Sequence, residues 1–136
     1  MHRAAAILMG LVSLAPFALQ SASAAQGITS RHAPAAEVML LPKFCWGQYF
    51  NYSQPQYHIN NCGPGINHYC QGLIFLNIGE RTFDNMRKKR SMLKRAKSTF
   101  HYTQRWIKQF PNCPIRGHVA ASMRRVDMDL NILPKK

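Results

Sequence analysis

The feature that most limits what this chain can become is a basic stretch over about 82–110. Within it Leu93, Ala96, Phe100, Thr103, Ile107 and Phe110 follow one another at steps of 3, 4, 3, 4 and 3. Residues three and four apart share a face on an α-helix but not on a strand, so the spacing predicts one long helix with a single apolar stripe. Thr82 or Asp84 is placed to cap its start and Pro111 to close it. Val119, Met123, Val126 and Leu130 repeat the rhythm in a further helix over about 115–130. Ahead of the long helix, Tyr69, Cys70, Leu73, Phe75, Leu76 and Ile78 give a wide apolar face over 66–78, and Gly79 reads as its stop. A short helix over 41–50, with Pro42 near its start, precedes a loop over 51–64 rich in Asn, Ser, Pro and Gly. No β-alternation competes. The expectation is an all-α fold of about four helices, joined by short connections into antiparallel hairpins.

The first residues do not belong to that fold. His2 and Arg3 precede an apolar run from Ala4 to Leu19, and small residues follow up to Ala25. That is the order of a secretory signal peptide over 1–25, with Ala22 and Ala24, or Ser23 and Ala25, suited to the positions before a cut. Gly10 and Pro16 interrupt the run, which is short for a span of about 20 residues. Residues 26–37 have no periodic apolar pattern and read as a flexible linker, leaving a domain over 38–133. About 111 residues remain after cleavage, enough for one modest core. The protein is expected in the periplasm or outside the cell.

Charge narrows the partners. The chain carries 18 Lys and Arg against five acids, a formal net charge of +13. The leader removes only Arg3, so 17 basic residues face the same five acids and the processed chain carries +12. Such an excess attracts anionic surfaces. In an exported protein these are anionic lipid headgroups, acidic envelope polymers or acidic proteins rather than nucleic acid. No later segment is apolar enough to cross a membrane.

Cys45, Cys62, Cys70 and Cys113 all lie in the exported part. An even count in a small exported chain favours two disulfides, with three connectivities open. The competing use is a zinc or copper site from His58, Cys62, His68 and Cys70. That set lacks the paired two-residue spacing of most Cys/His sites, and thiols oxidise in an oxidising space. No haem-attachment motif is present.

Three segments together carry a resemblance: Leu41-Pro42-Lys43-Phe44-Cys45, then Asn67-His68-Tyr69-Cys70-Gln71-Gly72-Leu73, then the long helix ending Gln109-Phe110-Pro111-Asn112-Cys113-Pro114. Over about 41–130 the chain resembles exported bacterial proteins of tetratricopeptide-repeat type. The resemblance implies a helical hairpin in which Gly72 lets the second helix approach, Ala96 and Phe100 supply the small and aromatic packing positions, and Pro111 closes it. Gly72 and Ala96 stand about a dozen residues further apart than the corresponding positions do in the usual repeat. The resemblance also implies that Cys45 pairs with Cys70, which leaves Cys62 for Cys113. No cofactor is implied.

Arg87, Lys88, Lys89, Arg90, Lys94, Arg95, Lys97, Arg105 and Lys108 make the long helix cationic on the side away from its stripe. This face is the candidate partner surface. Tyr102 and Trp106, beside the stripe, are expected to pack on a neighbouring helix. Support for catalysis is thin: no His-Glu-x-x-His, Gly-x-Ser-x-Gly or phosphate-cradling glycine loop occurs, and His68 beside Cys70 is the one thiol and imidazole pair. The expected function is a non-enzymatic interaction module that binds a protein or an anionic envelope component. The alternatives are a metal-binding protein using the His/Cys set and a small basic secreted toxin or hydrolase.

Overall fold

A computed structural model describes residues 28–29 and 31–134. The predicted leader over 1–25 lies outside them. The described residues contain five α-helices and no strand: α1 (Ala35–Val38), α2 (Trp46–Phe50), α3 (Ile66–Arg81), α4 (Met86–Ile107) and α5 (Arg116–Ile132). One-turn 3-10 segments at Lys43–Cys45, Pro55–Tyr57 and Gly63–Gly65 shape the stretch before α3. Within 41–50 the first turn is therefore 3-10 and only the rest is α-helical. Asn51 ends α2 in the left-handed conformation, which asparagine tolerates better than most residues.

The centre is a hairpin of α3 and α4. A Cβ added to Gly65 would lie 2.7 Å from Trp106 Cβ, one on Gly72 2.5 Å from Phe100 Cε1, and one on Gly79 2.9 Å from Leu93 Cδ2. As the position on α3 advances, its partner on α4 recedes, so the helices run antiparallel. Seven residues is close to two helical turns, so the three glycines line one seam along which the long helix approaches α3. Gly79 is a packing residue inside α3 and not its stop. The helix continues to Arg81, where Thr82 Oγ1 donates to Ile78 O at 2.7 Å and Thr82 N donates to Gly79 O at 3.3 Å.

With Thr82 engaged in closing α3, another residue caps α4. Asn85 Oδ1 accepts from Lys88 N at 2.8 Å, in the manner of an N-cap. The predicted caps Thr82 and Asp84 are thus replaced by Asn85. At the other end, the backbone N–H groups of Gln109 and Phe110 donate three residues back, to Trp106 and Ile107, tightening the chain ahead of Pro111. The Phe110 ring then folds against Gly63.

The stripe read from the sequence is the inner face of α4: Leu93, Ala96, Phe100, Thr103 and Ile107 are buried. Thr103 is the one polar member, and its hydroxyl lies within donor reach of Gly65 O at 3.1 Å and Thr99 O at 3.2 Å. A buried hydroxyl needs such a partner. Helix α5 lies antiparallel on the other flank of α4. Val119 and Val126 are buried, Lys97 Nζ meets Asp127 Oδ1 at 2.6 Å, and Arg90 donates to Pro134 O. Tyr69 on α3 reaches Ser122 on α5 at 3.2 Å.

Two disulfides, Cys45 to Cys70 and Cys62 to Cys113, tie the turn before α2 to α3 and the loop before α3 to the turn after α4. The stretch read as a linker over 26–37 is largely exposed where it is described, but it touches the domain at Ile28 and Glu37, and Val38 just beyond it is buried. Ile28 is buried, Gln71 donates to Ile28 O, and Arg81 pairs with Glu37. A single buried apolar side chain carries no periodicity, so the spacing of residues does not reveal this contact.

Candidate functional site

The nine cations named from the sequence do not form one face. On a helix advancing about 100° per residue, Lys89 falls in line with Leu93, Ala96 and Phe100. It is half-buried and extends the stripe toward the start of α4, with its Nζ 5.3 Å from the centre of the Phe83 ring. The ammonium stands over the ring face, a cation–π contact. Arg95 lies on the flank toward α3, its guanidinium 4.1 Å from the centre of the Phe75 ring. Lys97 and Arg90 lie on the flank toward α5, held by Asp127 and Pro134 O. Arg105 stands 5.9 Å from the centre of the Tyr102 ring.

That leaves Arg87, Lys88, Lys94 and Lys108, all exposed, which make no ion pair or side-chain hydrogen bond with the described residues. The positions of the acids explain it. Glu37 pairs with Arg81, Glu80 with Arg125 and Asp127 with Lys97. Asp129 lies beside Glu80, and one of its oxygens is buried without a hydrogen-bond partner. Burial raises the Glu80 carboxyl above its ordinary value; Arg125 pulls it down, and Asp129 pushes it up again. Four of the five acids are thus occupied among themselves or with cations of other elements, and Asp84 is the remaining one.

The cations at the start of α4 stand in an unfavourable place. The N-terminus of a helix carries partial positive charge, which favours acids there and disfavours Lys and Arg. The first turn of α4 nevertheless contains no acid, and Arg87, Lys88 and Lys89 follow Met86 directly. Beside them, Phe83 is 79% exposed and Met86 49%. Neither Phe83 nor Met86 was singled out from the sequence. The available signal was a large aromatic residue in a turn, outside every helical stripe.

Other predicted site residues are placed as follows. Cys62 and Cys70 belong to different disulfides, so neither presents a thiolate to a metal or to His68. His58 is hydrogen-bonded to Tyr52 O at 2.7 Å, and the His68 ring packs 4.2 Å from that of Tyr102. The four members of the proposed metal set therefore have separate partners, and no group of three or more His, Cys, Asp or Glu placed to hold a metal occurs among the described residues. Tyr102 and Trp106 pack on the start of α3, through His68 and Gly65. Burial raises the Tyr49 and Tyr69 phenols, and Ser122 draws the latter partly back.

No helix among the described residues is long and apolar enough to cross a membrane. Comparison of the chain with protein-family models, with curated proteins and with solved structures finds no match.

Proposed function

We propose that the chain is an exported, non-enzymatic interaction module, of tetratricopeptide-like hairpin design, that binds an anionic component of the cell envelope through the cations of α4. The supporting observation is the distribution of acids. Three of the five are ion-paired with Arg81, Arg125 and the α4 residue Lys97, and a fourth lies against Glu80, leaving Arg87, Lys88, Lys94 and Lys108 exposed with no ion pair among the described residues. Exposed cations of this kind attract anionic surfaces, with about 1 kcal/mol from each Lys or Arg close to an acidic membrane. The packed hairpin and its two disulfides hold them on a rigid support. Location in the periplasm or outside the cell agrees with the disulfides, which persist in oxidising compartments.

Charge reversal provides the test. Arg87→Glu with Lys88→Glu should weaken retention on acidic-polymer beads and on anionic vesicles alike, and raising salt to about 1 M, where screening is effective beyond about 3 Å, should release the wild type. The same double variant should unfold at higher temperature, because acids suit the first turn of a helix. Retention indifferent to both salt and charge reversal overturns the proposal.

A further inference from the structure

One end of the bundle combines the unpaired cations with exposed apolar side chains. The turn from α3 to α4 carries Phe83, 79% exposed, and α4 opens with Met86. Contacts place other elements at this end. Glu80, just before the turn, pairs with Arg125 of α5. Arg90, one turn beyond Met86, donates to Pro134 O, two residues after Ile132, which is 76% exposed. Leu40, also exposed, lines a hollow of about 260 Å³ with Asn77, Glu80 and Arg81. Among the described residues, four of the seven exposed large apolar side chains, Leu40, Phe83, Met86 and Ile132, thus sit where α3 ends, α4 begins and α5 finishes.

We infer that this end docks on the surface of an anionic phospholipid bilayer, with Phe83 and Met86 entering the headgroup region and Arg87 and Lys88 on lipid phosphates. The inference rests on the anionic-docking reading above and names its partner. Three observations favour lipid. The apolar tip is flanked by cations: Arg87, Lys88, Lys89 and Arg90 follow it directly, and Asp84 is the one acid within 82–90. The same cations crowd the positive end of α4, where they oppose helix stability; phosphates would remove that conflict. The acids nearest the turn on other elements are engaged away from it: Glu80 pairs with Arg125, Glu37 with Arg81, and Asp129 lies against Glu80. A soluble acidic polymer would satisfy the cations but would give Phe83 nothing to enter. A protein partner would offer a pocket, and the experiment separates the two.

The purified, oxidised protein is mixed with vesicles of phosphatidylcholine alone, with vesicles containing phosphatidylglycerol, and with poly-glutamate beads. Wild type, Phe83→Ala, Phe83→Trp and Arg87→Glu/Lys88→Glu are compared, each checked for unchanged helicity. Salt-sensitive binding to the phosphatidylglycerol vesicles is expected, reduced about tenfold by Phe83→Ala, the loss of one apolar anchor. The Phe83→Trp protein should gain emission that brominated lipid quenches beyond the background of Trp46 and Trp106. Salt-sensitive vesicle binding unaffected by Phe83→Ala and without added quenching overturns the insertion while leaving the anionic-docking reading standing. Binding to poly-glutamate beads with none to vesicles does the same, and points to a polymer or an acidic protein. Binding to neither overturns both.

Discussion

Phe100 on α4 fills the space in which a side chain on Gly72 of α3 would stand, its Cδ1 and Cε1 lying 2.8 and 2.5 Å from the position of that missing Cβ. Phe100 is fully buried and also packs on Tyr69, with ring centres 5.6 Å apart, so its ring has little room to retreat. Gly72→Ala is therefore expected to destabilise the fold although alanine favours helix. Overpacking of this kind costs about 1–3 kcal/mol, which in a domain of this size lowers Tm by about 5–15 °C. Thermal unfolding followed by circular dichroism measures it; an unchanged or higher Tm contradicts the seam.

The two disulfides should contribute unequally. Cys45–Cys70 closes a separation of 25 residues and Cys62–Cys113 one of 51. Loop-closure entropy assigns about 3.5 and about 4 kcal/mol to them. Replacing each pair by alanine, so that no free thiol remains, should leave both variants far less resistant to urea than the parent. The variant lacking Cys62 and Cys113 should be the weaker. The reverse order would show that strain or packing around the bridges outweighs chain entropy.

Glu80 makes the fold sensitive to pH in a defined sense. Its carboxyl is raised in the folded protein above the ordinary value of 4.5, chiefly by burial. A carboxyl raised on folding helps stability while both states are protonated, and that help is lost as pH climbs through the folded value. Wild-type stability relative to Glu80→Gln should thus fall as pH rises from about 4.5 and level off once the carboxyl is ionised in the folded state too. Since Glu80 is only half-buried and faces Arg125, the change should stay below about 1 kcal/mol. Urea titrations of both proteins across this range check it. A difference that grows with pH would show that the Arg125 pair governs instead.

The sequence alone determined that the chain is helical and where its long helices lie. Periodicity is a local property: Leu93, Ala96, Phe100, Thr103 and Ile107 share a face whatever α4 touches. What each punctuating residue does was not legible. Gly79 looks like a helix stop but belongs to the seam, and Thr82 looks like a cap for α4 but closes α3. Such roles depend on how closely two helices approach, which spacing along one helix does not encode.

The candidate surface divides in the same way. Its cations, from Arg87 to Lys108, could be counted from the sequence, and their number against five acids already implied an anionic partner. Only the tertiary structure decided which of them remain unpaired, because Glu80, Asp127 and Glu37 reach cations more than 25 residues away. It also decided that Phe83, an unremarked aromatic residue in a turn, stands in water beside them. Charge is a property of composition, whereas pairing and exposure arise when distant segments are brought together, and that happens only on folding.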